Sequence, residues 1–258
     1  MIPSSMRALF HRRDAGLPPV VEPVPTIFPE ITGADIAAVF ADKRIAGDFY
    51  DSIRVSPERV LIGLLDAAGP RESNRNLLST AQEVFRTSGA ELFAAPDINE
   101  ADAMTELSLR INRALIGAAA RVHSCPAFIA CYHEKFGTLC YTNAGHTPGL
   151  LRDSSGISEL DSTGLPLGLF SHATADARIV GLEKGSALLL VSRGVIACER
   201  NHGSLDEFGL DRVQQSLQGS ASSEARSLCT AILNAAAEFT CAGPPSDDRT
   251  ALALMRTA

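Results

Sequence analysis

Residues 127–143, AFIACYHEKFGTLCYTN, decide the architecture. Two apolar runs flank EKFG, a connection that ends in glycine. Short apolar runs joined by so tight a glycine-containing loop read as a β-hairpin, and a hairpin makes its strands antiparallel. The pattern recurs downstream. GLLRD and ISELD flank SSG within residues 149–161, and DARIVGL and SALLLVS flank EKG within residues 176–192. Each reads as a local antiparallel pairing, unlike the strand and helix alternation of a parallel sheet.

Working outward, ADIAAVFAD (34–42) and VLIGLLD (60–66) read as strands. The second is apolar throughout, so both its faces are covered. After the polar stretch PRESNRN, Leu77, Leu78, Ala81, Val84 and Phe85 recur on one helix face. Ala103, Leu107, Ile111 and Leu115 step by four through a second helix at 99–118. A third helix is expected near 222–239, with Ser222 or Ser223 as its cap and Glu224 at its positive end. TALALMR closes the chain as an alternating strand. The predicted fold class is α+β: two antiparallel β-sheets packed face to face and flanked by α-helices. Pro18, Pro19, Pro23, Pro25 and Pro29 forbid regular helix near the start. We therefore expect an extended, proline-rich lead at 1–26 before one domain at 27–258.

A chain of 258 residues, 45% of them hydrophobic, can bury a large core without covalent staples. Its net charge of −7 argues against nucleic acid as a partner and gives no support for an acidic membrane surface. The six cysteines form no C-x-x-C pair and mostly sit in apolar runs, so they read as reduced, buried thiols. No secretory leader is read at the start, and no apolar stretch reaches the ~20 residues of a membrane helix. A cytoplasmic location is expected.

Carboxylates gather at strand ends. Asp48 and Asp51 lie in AGDFYD, Asp66 follows IGLL, and Asp247 and Asp248 precede the last strand. Singly, an aspartate at a turn bonds its own backbone. Together they suggest a cluster that needs cations, because unneutralised carboxylates repel or take up protons. Oxygen donors without paired His or Cys favour Mg²⁺ or Mn²⁺ over zinc. His123, His133 and His172 show no ligand spacing, and His146 reads as a turn residue.

AGDFYD, LLDAAG, NAGHTPGLL, STGLPLGLF, LLLVSRGV, DEFGLDRV and SDDRTALAL occur in an order that resembles the metal-dependent PPM-type protein phosphatases. The resemblance is to the bacterial SpoIIE and RsbU branch and spans roughly residues 27–256. It implies two sheets between helical layers and hydrolysis of phosphoserine or phosphothreonine on a regulatory protein, such as an anti-sigma-factor antagonist. It further implies one or two Mn²⁺ or Mg²⁺ ions, with Asp48, Asp66 and Asp247 as catalytic metal-binding carboxylates. The Ala67 carbonyl and Asp248, beside Asp247, would be further metal-binding groups.

Two departures stand out. The loop after Asp66 reads Ala67-Ala68-Gly69-Pro70-Arg71 and keeps only one of the family's two glycines. Where the family's LLLVS strand ends in Asp-Gly, this chain has Arg193-Gly194. An inward Arg193 opposes a cation, and its planar fork is suited to bridge Asp66 and Asp247 or to clamp phosphate. Three outcomes follow: a one-metal enzyme whose Arg193 binds phosphate, an enzyme whose Arg193 swings outward, or a non-catalytic pseudophosphatase that binds a phosphoprotein.

Overall fold

A computed structural model describes residues 23–41, 44–119, 123–173, 175–200, 205–240 and 247–258. In chain order the elements are β1 (Ala34–Ala41), β2 (Gly47–Ser56), β3 (Arg59–Ala67), α1 (Arg71–Leu92), α2 (Glu100–Ala118), β4 (Ala127–His133) and β5 (Thr138–Ala144). Then come β6 (Gly149–Asp153), β7 (Gly156–Leu160), β8 (Arg178–Gly181), β9 (Ala187–Val191), α3 (Arg193–Ile196), α4 (Gly209–Gly219), α5 (Ala225–Phe239) and β10 (Arg249–Arg256). Most of the lead, residues 1–22, and Cys241 lie outside the described residues.

The strands form two five-stranded antiparallel sheets, ordered β1-β10-β9-β6-β7 and β2-β3-β4-β5-β8. Period-two alternation divides their apolar side chains into three layers. Ile62, Leu64, Phe128 and Tyr132 meet Leu188, Leu190, Leu252 and Leu254 between the sheets. Leu61, Ile129 and Cys131 face Leu78, Phe85, Leu107 and Ile111 of α1 and α2. Leu189, Ala251 and Ala253 face Val213, Leu228 and Ile232 of α4 and α5. The expected two-sheet α+β sandwich is the observed architecture, and every residue of β3 is buried, its apolar centre together with Arg59 and Asp66 near its ends.

Local expectations hold unevenly. The hairpins β4–β5 and β6–β7 form as read. The third hairpin does not: β8 pairs with β5 and β9 pairs with β10 and β6, so EKG crosses from one sheet to the other. The AGDFYD segment opens a ten-residue strand, β2, so Asp51 lies inside a strand and not at its end. At α5 neither Ser222 nor Ser223 caps the first turn. The Asp35 carboxylate of β1 accepts the Ala225 N–H at 2.7 Å instead. The helix α4 has no counterpart in the sequence expectations, although DEFGLDRV lies across its start.

Candidate metal centre and active site

The site grows from one register. β2 and β3 pair so that Asp48 faces Asp66 and Gly47 faces Ala67. Tyr50 and Leu64, two residues along on the same face, belong to the layer between the sheets. Asp48 and Asp66 therefore end that layer, 1% and 7% exposed. Phe49 and Leu65 point the other way, into the helices.

Asp51, an odd number of residues from Asp48, shares the helix face with Phe49. Arg86 of α1 grips it with two bonds, at 2.7 and 3.0 Å, and Gln82 and Thr26 bond it as well. It is a buried tie between β2, α1 and the segment before β1. An Mn²⁺ titration read by thermal midpoint separates the two roles. Asp66→Asn removes the metal-induced rise, while Asp51→Asn lowers overall stability yet keeps the rise. Equal losses would rule out Asp66 as the shared ligand.

Gly47 is dictated by close approach. A Cβ there would stand 2.0 Å from the Ala67 carbonyl oxygen. That carbonyl also accepts from Asn74 Nδ2 at 3.3 Å, and the same amide reaches the carbonyls of Ala68 and Gly69 at 3.1 Å. Asn74, in the first turn of α1 and 1% exposed, thus holds the whole loop after Asp66. In the sequence it is one letter of a polar opening, with no mark of this role.

The opposite wall is built by the 192–194 and 247–250 segments. Ser192 and Thr250 exchange main-chain and hydroxyl bonds, and Thr250 Oγ1 donates to Asp48 Oδ2 at 2.6 Å. Asp248 accepts the N–H groups of Ile45, Ala46 and Asp48 at 2.6, 2.9 and 3.2 Å, so its carboxylate anchors the chain entering β2. Gly194 packs so tightly that a Cβ would meet the Asp248 carbonyl oxygen at 2.1 Å.

Arg193 does not bridge two carboxylates with its fork. Its main-chain N–H donates to Asp66 Oδ2 at 3.0 Å, a bond open to any residue but proline. Only Nη2 reaches an acid, Asp247 Oδ2, at 2.8 Å, and the side chain is 65% exposed. The short helix α3 begins at this residue and turns the side chain toward the rim.

Electrostatics single out Asp48. Burial, then the facing Asp66, holds its carboxyl well above the ordinary range, against hydroxyl donors from Ser192 and Thr250. Burial also raises Asp66, partly offset by the Arg193 N–H and charge. Asp247 is raised by burial and then by Asp66. Asp48 Oδ1 is buried without any hydrogen-bond partner. An orphaned carboxylate oxygen beside a second carboxylate is costly unless a cation or proton joins it, so these residues fit a divalent ion. Among the described residues, no three His, Cys, Asp or Glu side chains close around one point. The third expected carboxylate, Asp247, is instead turned to Arg193.

His146 sits apart from this chemistry. Its N–H bonds Asn143 Oδ1 at 2.8 Å and its Nδ1 lies 3.1 Å from the Thr147 carbonyl, while Nε2 is buried without a partner. Burial pushes the imidazole down to about 4. The folded ring stays neutral where a free one, near 6.5, is charged, so unfolding takes up a proton between those values. Its contribution is complete above pH 6.5 and falls by about 3 kcal/mol on acidification to pH 4. The raised aspartates act in the opposite sense. The test is therefore the wild-type minus His146→Gln stability difference measured by urea at both pH values. A difference independent of pH would contradict the neutral, buried ring.

The Stage II sporulation protein E family matches residues 57–257. Phosphoserine phosphatase RsbP of Bacillus subtilis (strain 168) is 24% identical over 157 residues, 60% of this chain and 38% of that protein. Phosphoserine phosphatase RsbU of the same organism is 23% identical over 215 residues, 81% of this chain and 60% of that protein. The chain thus spans less than two-thirds of the length of both curated relatives. The SiaA-PP2C domain of Pseudomonas aeruginosa superposes with a TM-score of 0.71 at 19% identity over 85% of each chain, a likeness of fold. The matched span runs from the turn before β3 to the end of β10 and takes in Asp66, Arg193, Asp247 and Asp248, and the chain belongs to the SpoIIE family of PPM-type phosphatases.

Proposed function

We propose that this chain, over a domain at 27–258, is a metal-dependent phosphatase for phosphoserine or phosphothreonine on a bacterial regulatory protein. An anti-sigma-factor antagonist is the partner class, and the cytoplasm is the compartment in which it acts. The observation that carries this reading is the cross-strand Asp48–Asp66 pair with its orphaned Asp48 oxygen. Phosphatases of this family use Mn²⁺ or Mg²⁺. Asp48 and Asp66 would hold such an ion, with the Ala67 carbonyl and Asp247 as further donors and Asp248 fixing the loop that carries Asp48. When bound, the cation supplies Lewis acidity and lowers the pKa of its water.

The chain's own groups then divide the remaining work. Thr250 fixes the Asp48 carboxylate through Oδ2, leaving Oδ1 as the free donor. The Arg193 main chain orients Asp66. Its exposed guanidinium stands at the rim beside Asp247, where it can receive phosphate oxygens in two-pronged fashion. Recognition of phosphate by Arg193 and catalysis through Asp48, Asp66 and Asp247 are parts of this proposal.

One observation favours a second reading. Asp247 is bonded by a cation from the chain itself, as expected of a pseudophosphatase that binds phosphoprotein without hydrolysing it. Phosphate release from a phosphoserine protein, with and without Mn²⁺, decides between them. Release that needs Mn²⁺ and disappears in Asp66→Asn supports the enzyme. Retained phosphoprotein binding with no release at any Mn²⁺ concentration supports the pseudophosphatase.

A further inference from the structure

A second recess lies beside the carboxylates. It has a volume of about 280 Å³ and lies between residues 23–26, the end of β1 and the start of β2. Phe40, Phe49 and Tyr50 supply its aromatic wall. Among the described residues, Arg44 and Arg71 are the only charged groups that line it. In a chain of net charge −7, two arginines without a lining acid are a local exception.

Their placement is fixed. The Arg44 guanidinium lies over the rings of Phe40 and Tyr50, 4.3 and 4.9 Å from their centroids. Arg71 opens α1, and its N–H bonds the Ile45 carbonyl at 3.1 Å, which ties the helix start to the loop carrying Arg44. Arg44 Nε and Arg71 Nη1 are both buried without hydrogen-bond partners. A desolvated guanidinium nitrogen left unbonded is costly, and both guanidinium groups line one recess where an anion can accept from them. Stacking holds one guanidinium plane in place, which suits a planar carboxylate.

The spacing says which anion. Tyr50 follows Asp48 by two residues on the same strand face, so the Tyr50 wall of the recess lies about 7 Å along β2 from Asp48. That distance matches the reach from one side chain of an extended peptide to a neighbour one or two positions away. We propose that Arg44 and Arg71 form a specificity subsite for an acidic residue, Asp or Glu, flanking the phosphorylated residue of the substrate. The subsite rests on the phosphatase reading for its neighbour but binds through its own two arginines.

The test uses the full chain and three fluorescent peptide series: phosphoserine peptides with a flanking Glu, the same with Gln, and unphosphorylated Glu peptides. Glu is placed in turn at each of the two positions on either side. Affinity is read by anisotropy and turnover by phosphate release. At one position Glu should bind about tenfold tighter than Gln. Arg44→Gln and Arg71→Gln should each collapse that ratio toward unity while leaving the Gln peptide's affinity unchanged, which also shows that each variant folds. Equal binding of Glu and Gln peptides at every position overturns the subsite, as does a ratio that survives in the double variant. If phosphate is never released but arginine-dependent Glu preference persists, the enzyme reading fails and the subsite stands. If release proceeds without the preference, the subsite fails and the enzyme reading stands.

Discussion

Asp48→Asn raises the thermal midpoint of the metal-free protein by about 2–8 °C, the equivalent of roughly 1–2 kcal/mol, and abolishes the further rise that Mn²⁺ gives the wild type. The gain comes from the state of the wild-type side chain. Asp48 is 1% exposed, faces Asp66 across the sheet and leaves Oδ1 without a donor. Its charge is opposed by burial and by its neighbour, as the raised pKa records. An asparagine amide keeps the shape, still accepts from Thr250 Oγ1 and offers an N–H toward the Asp66 carboxylate. A destabilising contact becomes a bonded one. The same change removes one of the two carboxylates that face each other, so the ion loses a ligand and phosphate release falls to background.

Calorimetry of both proteins with EDTA and with saturating Mn²⁺ gives four midpoints. The wild type should gain from the metal and the variant should not, so the order of stability inverts between the two conditions. A variant less stable than wild type in EDTA that still gains from Mn²⁺ would place the ion elsewhere. The inversion matters because an ordinary core aspartate, paired as Asp51 is with Arg86, loses stability on amidation in either condition.

Asp48 and Asp51 also show how far the sequence is legible. AGDFYD reads as a strand end carrying both acids. Counting by twos separates them onto opposite faces, but only once the segment is known to be a strand. Gly47–Ser56 conceals that by carrying an acid on each face and an arginine before its end. The hairpins at 127–144 and 149–160 are legible because turn and pairing are local. The third fails because its loop has the same chemistry while strand placement is settled by the two sheets: β8 adds to the open edge of β5, and β9 fits between β10 and β6. The cap of α5 is beyond reach, since Asp35 stands 190 residues away in the chain. Asn74 and Thr250 escape for a similar reason, because nothing in their local spacing tells which carbonyl or carboxylate they meet. Motif order points to Asp48, Asp66 and Asp247. It does not show that Arg193 meets Asp66 through its backbone and Asp247 through its side chain.

Arg193→Asp tightens Mn²⁺ binding by about 10–100-fold. At 4 Å and an effective dielectric near 20, each unit-charge pair is worth about 4 kcal/mol, and this substitution turns a repelling charge into an attracting one. The Arg193 side chain is 65% exposed, so solvent reduces the gain to about 1–3 kcal/mol. The frame survives, since the bond to Asp66 comes from the main-chain N–H and Gly194 still clears the Asp248 carbonyl. Asp247, released from its ion pair, becomes available as a ligand. Arg193→Ala releases Asp247 without adding a carboxylate, so it should recover only part of the gain. Titration calorimetry of the three proteins separates relief of repulsion from a new ligand. If neither variant gains affinity, the obstacle is the loop after Asp66, where Asn74 already occupies the Ala67 carbonyl. Asn74→Ala added to Arg193→Asp then becomes the decisive protein, because it frees that carbonyl while leaving every carboxylate in place.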